Sequence, residues 1–153
     1  MVAESKPTEK QLYETDYNLW VIETVKQLQN REFEKIDWEN LIDEVSDLSR
    51  REKRRLESLL TRLFEHLLKL KYWDSERERN QGHWQGEIRN FRIQIQRDLT
   101  ASPSLKRHLS EVFKDCYEDA RKITIDKTQL SPDCFPSKPI APLDQILYEN
   151  WLP

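Results

Sequence analysis

One apolar stripe constrains this chain more than any other feature. It runs Leu41, Val45, Leu48, Leu56, Leu59, Leu63, Leu67 and Leu70, with Glu52 at its one polar step. Eight steps over 29 residues give a mean of about 3.6, the period of a straight α-helix. Neither glycine nor proline lies between Trp38 and Trp73. The spacing therefore predicts a helix from Trp38 to about Trp73, with Asp37 as N-cap and Glu39 bringing negative charge to the first turn. Such a helix would be about 50 Å long. Ser49-Arg50-Arg51-Glu52 also has the form of a capping box, which offers a break near Ser49. The unbroken phase of the stripe favours continuity.

Three further segments read as helices. Tyr17, Trp20, Val21, Thr24, Val25 and Leu28 recur at helical steps and predict a helix over 15–29, capped by Thr15 or Asp16. The polar stretch 74–81, ending at Gly82, reads as a connection. A third helix is expected over 83–100, with Trp84, Ile88, Phe91, Ile95 and Leu99 inward. Ser102-Pro103 marks the next start, with Ser as cap and Pro at the first helical position. A fourth helix then carries Leu105, Leu109, Val112, Phe113, Cys116, Ala120 and Ile123 on its inner face.

Beyond Lys127, Pro132, Pro136, Pro139 and Pro142 leave little room for regular structure. The closing stretch places Ile146, Leu147, Trp151 and Leu152 where a short docked helix and an anchor are expected. The fold expected is all-α. It is a bundle of about four main helices with one long second helix and a Pro-rich C-terminal segment ending in a short docked helix. Residues 1–12 are expected to be a flexible N-terminal segment and 13–153 a single helical domain, a common domain size.

Composition agrees and excludes several classes. Among 153 residues, charged ones make up 35% and apolar ones 37%, which suits amphipathic helices. Only two glycines occur, which disfavours a loop-rich or β-rich fold. The N-terminus lacks the apolar core of a secretory signal, and no stretch is apolar for long enough to span a bilayer. The expected location is cytoplasmic, with no membrane partner. Two cysteines are too few for a disulfide framework, and Cys116 reads as a buried thiol. Charge is uneven. Residues 1–48 carry 5 basic and 12 acidic groups, net −7, residues 49–127 carry net +6, and residues 128–153 net −2. Either the acidic segment packs on the basic middle, or the basic face awaits an acidic partner.

Several motifs in order carry a family resemblance. They are Tyr13-Glu14-Thr15-Asp16-Tyr17 with Trp20; Ile36-Asp37-Trp38-Glu39-Asn40-Leu41-Ile42-Asp43-Glu44-Val45 followed by Arg50-Arg51-Glu52; and His66-Leu67-Leu68-Lys69-Leu70. Trp84 with Ile88-Arg89, Ser102-Pro103-Ser104-Leu105 and Tyr117-Glu118-Asp119-Ala120-Arg121 complete the set. From Tyr13 to the terminal Trp151-Leu152-Pro153 the chain resembles the bacterial, largely cyanobacterial family called domain of unknown function 29. The resemblance implies an all-α fold. It implies no activity, because the family is named for lacking one.

The charged residues on apolar faces are the candidates for chemistry. Glu44 and Glu52 lie on or beside the long stripe, and a buried carboxylate is costly unless paired. Arg89 and Arg92 of the third helix, and Arg121 of the fourth, are the expected partners. With His66 they make a candidate polar network of Glu44, Glu52, His66, Arg89, Arg92 and Arg121. It would serve as a structural salt-bridge network or as a pocket at the helix junction. His66 and His108 read as helix-flank histidines. Their functional alternative is a metal site, or an acid–base pair with Glu44 or Glu87. No Gly-rich phosphate loop, His-Glu-x-x-His, Cys-x-x-Cys or Glu-x-x-His unit is present, so neither metal nor cofactor is expected. Arg50, Arg51, Lys53, Arg54 and Arg55 form a candidate basic surface. An acidic chain of pI about 5.7 without a nucleic-acid signature makes nucleic acid an unexpected partner.

The leading expectation is a non-enzymatic module for protein–protein contact or homo-oligomerisation. The alternatives are a nucleic-acid-associated or regulatory protein using 50–55, and an enzyme with a site around Glu44, His66 and Arg89.

Overall fold

The computed structural model describes residues 8–153, which are mainly helical with no strand among them. The helices are α1 (Glu9–Thr15), α2 (Tyr17–Gln29), α3 (Trp38–Tyr72), α4 (Asp74–Ala101), α5 (Leu105–Thr128) and α6 (Leu143–Leu147). Single 3-10 turns occur at Phe33–Lys35 and Pro132–Cys134. The chain divides into two compact units, one ending at Arg51 and the other running Glu52–Pro153.

In the first unit, part of the expected flexible segment is helical. Thr8 caps α1 through a capping box, accepting from the Gln11 amide while the Gln11 side chain accepts from the Thr8 amide. Residues 1–7 lie outside the described residues. Asp16 ends α1 with a non-helical backbone and caps α2, its carboxylate accepting from the Leu19 amide at 3.0 Å. The helix expected over 15–29 therefore starts at Tyr17. Its buried face is Trp20, Thr24 and Gln27, while Tyr17, Val25 and Leu28 are exposed. Arg31 then takes a left-handed backbone (φ 57°), and the Glu32 amide reaches back to the Gln27 carbonyl at 2.8 Å. This closes the helix in the manner more often carried by glycine. Asp37 accepts from the Asn40 amide at 3.3 Å, as an N-cap of α3 should.

Helix α3 is continuous through Ser49. In the second unit its stripe doubles. Leu56, Leu60, Leu63, Phe64, Leu67 and Leu68 are all without exposed surface. A helix apolar around so much of its circumference must be enclosed, and α3 is accordingly the central helix of that unit. Phe64 packs against Phe113 and Tyr117 of α5, with ring centroids 5.3 and 5.2 Å apart. Ile88, Phe91 and Ile95 of α4 complete the core. Each such large side chain contributes about 1.5–3 kcal/mol on full burial.

Two boundaries differ from expectation. The stretch 74–81 is helical and forms the start of α4; only Trp73 separates it from α3. Asp74 and Glu76 supply the negative charge that a first turn favours. Arg77 donates to the Leu70 carbonyl at 2.6 Å and the Lys71 carbonyl at 2.5 Å, and pairs with Asp74. It thereby satisfies the carbonyls that α3 leaves open at its end, so no loop is needed. Ser102 closes α4, and α5 begins at Leu105 after a turn through Pro103 and Ser104. On α5 the inward position near the C-terminal end is Thr124, with Ile123 exposed.

The Pro-rich segment is held by side chains of α4 and α5. Tyr117 donates to the Pro136 carbonyl at 2.6 Å. Arg121 donates to the Phe135 carbonyl at 3.1 Å and the Pro132 carbonyl at 2.7 Å. Phe135 and Ile146 are buried, Leu147 and Trp151 half-buried, and Leu152 exposed. The expected docking of the C-terminal stretch thus rests on Phe135, Ile146, Leu147 and Trp151, without Leu152.

Candidate functional site

In the first unit, Glu44 sits at the middle of a phenol cluster. Its Oε1 accepts from Tyr13 at 2.6 Å and its Oε2 from Tyr17 at 2.7 Å. Those two hydrogen bonds hold the Glu44 carboxyl below its usual range, with Arg51 adding a smaller effect. The same bonds raise both phenols, Tyr13 to about 12. Tyr13 also meets Trp20 edge-on at 4.8 Å. The arginine expected opposite Glu44 is thus replaced by two neutral donors. Phenols suffice because the carboxylate is partly exposed and keeps part of its hydration.

The other network residues have separate partners in the second unit. Arg92 spends its guanidinium on backbone, Nε donating to the Ile146 carbonyl at 2.8 Å and Nη1 to the Trp151 carbonyl at 2.8 Å. Arg121 clamps the 132–135 turn. His66 is half-buried, with Nδ1 against the Arg62 carbonyl at 2.8 Å and its ring edge-on to Phe91 at 5.2 Å. Burial lowers its pKa, which favours the neutral ring. Glu52 is exposed and, like Arg89, makes no hydrogen bond or ion pair among the described residues. Of the six residues expected to share one network, each therefore stands in its own setting.

Sequence reasoning missed an ion pair and a carboxylate–imidazole hydrogen bond. Glu65, only 5% exposed, accepts from Lys127 at 2.7 Å. Glu57 meets His108 Nε2 at 2.8 Å. The signal for Glu65 was its place inside the run Leu63-Phe64-Glu65-His66-Leu67-Leu68, where an unpaired charge would be costly. The run 50–55 is exposed throughout. Arg50 pairs with Asp47 at 2.6 Å and Arg55 with Asp98 at 3.1 Å. No group of three His, Cys, Asp or Glu side chains able to hold a metal occurs among the described residues, and no described helix is long and apolar enough to cross a membrane.

Two surfaces stand out. In the first unit, Ile42, Val45 and Leu48 are 60%, 59% and 59% exposed. They occupy the face of α3 that is buried farther along at Leu56, Leu59 and Leu63. Leu19, Ile22 and Val25 are exposed on α2 as well. In the second unit, a groove of about 790 Å³ is lined by Arg89, Arg92, Ile93 and Arg97 of α4, Lys106 of α5, and Leu147 with Tyr148 near the C-terminus. The α4 residues share one face because they recur at three- and four-residue steps.

No curated protein and no solved structure matches the chain. The family model described as "Domain of unknown function DUF29" matches residues 12–152, nearly the full length. This chain belongs to the family of proteins built on the domain of unknown function DUF29.

Proposed function

We propose that the protein is an interaction module whose first unit docks a protein partner through the apolar face of α3. The observation that carries this reading is the exposure of Ile42, Val45 and Leu48 on a helix whose apolar stripe is buried from Leu56 onward. Large aliphatic side chains gathered on one helical face are expensive to leave in water, and contiguous apolar patches on soluble domains mark interaction sites. Residues 1–48 carry net −7, so the partner that fits is an apolar and basic helical face, with complementary charge speeding encounter.

A basic amphipathic helix of Leu and Lys is the direct probe, with a Leu and Glu helix of equal length as control. The wild-type chain should bind the first and ignore the second. The triple variant Ile42→Ser, Val45→Ser, Leu48→Ser keeps the charge and should lose at least tenfold in affinity. Equal binding by the triple variant would reduce the attraction to bulk charge and end the reading.

A further inference from the structure

We propose that the groove between α4, the start of α5 and the C-terminal turn of the second unit binds an amphiphilic anion, an extended apolar body ending in one carboxylate or phosphate group. Four observations point there, and none involves the apolar face of the first unit.

The first is size. About 790 Å³ lies within the range of roughly 300–1,000 Å³ common to small-molecule sites. The second is an apolar floor. Ile93, Ala101, Leu147 and Tyr148 line the groove, and Ile93 and Tyr148 remain exposed there.

The third is uncompensated positive charge. Arg89, Arg92, Arg97 and Lys106 line the groove against Asp144 and Glu149. Lys106 is paired with Asp144 at 2.8 Å. Arg89 and Arg97 make no hydrogen bond or ion pair among the described residues. Of the two acidic lining residues, Glu149 is left to oppose an incoming anion.

The fourth is Arg92 itself, 4% exposed, with Nη2 buried and lacking an acceptor among the described residues. Its other nitrogens reach backbone carbonyls, and no carboxylate is among its partners in the described residues. A guanidinium buried without a counter-ion is an unfavourable arrangement. Burial, with the Arg89 charge beside it, pushes its pKa down to about 10. An anion in the groove would supply the missing opposite charge without displacing the carbonyl bonds. Arg89 and Arg97, about two turns apart on the same face, can grip a planar or tetrahedral oxyanion from the rim. The apolar body then lies along Ile93, Leu147 and Tyr148.

Isothermal titration of the full chain tests the site, with decanoate and decyl phosphate as probes below their micelle concentrations. Decyl maltoside controls for the tail and inorganic phosphate for the head. Saturable one-site binding is expected for at least one of the two anionic amphiphiles, the preferred one identifying the headgroup, and for neither control. Arg89→Gln with Arg97→Gln, both at exposed positions, should weaken it at least tenfold, as should Ile93→Asp, with circular dichroism unchanged. Four results would overturn the proposal: no saturable binding, equal binding of the maltoside, equal binding of phosphate alone, or full affinity in the double arginine variant. Binding of an acidic helical peptide while both amphiphiles fail would also overturn it and make the groove a protein-docking site.

Discussion

Arg92 donates from Nη1 to the Trp151 carbonyl at 2.8 Å across 59 residues of sequence. Together with its bond to the Ile146 carbonyl, this fixes the C-terminal turn to α4 by side chain to backbone contact. Hydrogen bonds to charged groups contribute about 1.5–3 kcal/mol and strand their partners when one side is removed. Arg92→Met should therefore lower the unfolding free energy by about 1.5–3 kcal/mol in urea. Arg92→Lys should recover little, because an ammonium cannot reproduce the fork. A loss below about 0.5 kcal/mol, the surface value, would show that the clamp contributes nothing.

Ile146 adds the apolar half of the same attachment. It has no exposed surface and belongs to the main core cluster. Ile146→Ala should cost about 2–5 kcal/mol, the usual loss for a large aliphatic residue in a closed core. Truncation after Lys138 should lower the melting temperature further, since it also removes the acceptors of Arg92. An unchanged melt after truncation would contradict the docking.

The tyrosine–carboxylate cluster gives the first unit a pH dependence with opposite signs at the two ends. Tyr13 is raised to about 12 by its bond to Glu44, above the value near 10 of a free phenol. Folding thus favours the neutral phenol. Its contribution is complete below about pH 10 and lost as pH rises through about 12. Glu44 is lowered from 4.5. Folding favours its carboxylate, and that contribution is present above about pH 4.5 and lost as pH falls through the lowered value. Trp20 fluorescence reports the cluster, because its ring touches Tyr13. The alkaline transition between about pH 10 and 12 should shrink in Tyr13→Phe, and the acid one in Glu44→Gln. Profiles unaltered by both substitutions would rule the cluster out as the titrating element.

Gly82 and Gly86 lie inside α4, and a Cβ at either would meet no described atom within 4 Å beyond its chain neighbours and the adjacent backbone of α4 itself. Alanine in a helix interior is favoured over glycine by about 0.5–1 kcal/mol. Gly82→Ala and Gly86→Ala should each raise stability by about that amount, measured as a shift in urea midpoint at constant slope. A decrease would mean that α4 is held by something other than its own helical backbone and the packing described.

Glu44→Ala is expected to cost less than the Ile146 truncation. Its carboxylate is partly exposed and bonded to neutral phenols, so its removal leaves no buried charge behind. The melting temperatures of the two variants compare them directly.

The sequence by itself determined the main helices, though not α1 or the start of α4. The long stripe, the proline-marked turn at 102–104 and the alternation of apolar and charged residues are local properties, and they fix period and register without reference to the rest of the chain. Even the misread stretch 74–81 was legible in principle: acidic residues open it, and Arg77 stands where it can close the preceding helix. What local pattern could not reveal was which charges meet. Glu44 and Glu52 read alike on the stripe, yet one accepts from two tyrosines and the other is solvated. Arg92 and Arg121 look like salt-bridge partners, yet both bind backbone carbonyls of a segment that has too little regular structure to satisfy them itself. A guanidinium offers donors to any oxygen within reach, and which oxygen comes within reach depends on the packing of residues up to 59 positions apart. Exposure has the same origin. Val45 and Leu59 occupy one helical face with one chemistry, and only the tertiary structure decides that Leu59 is covered while Val45 is left open.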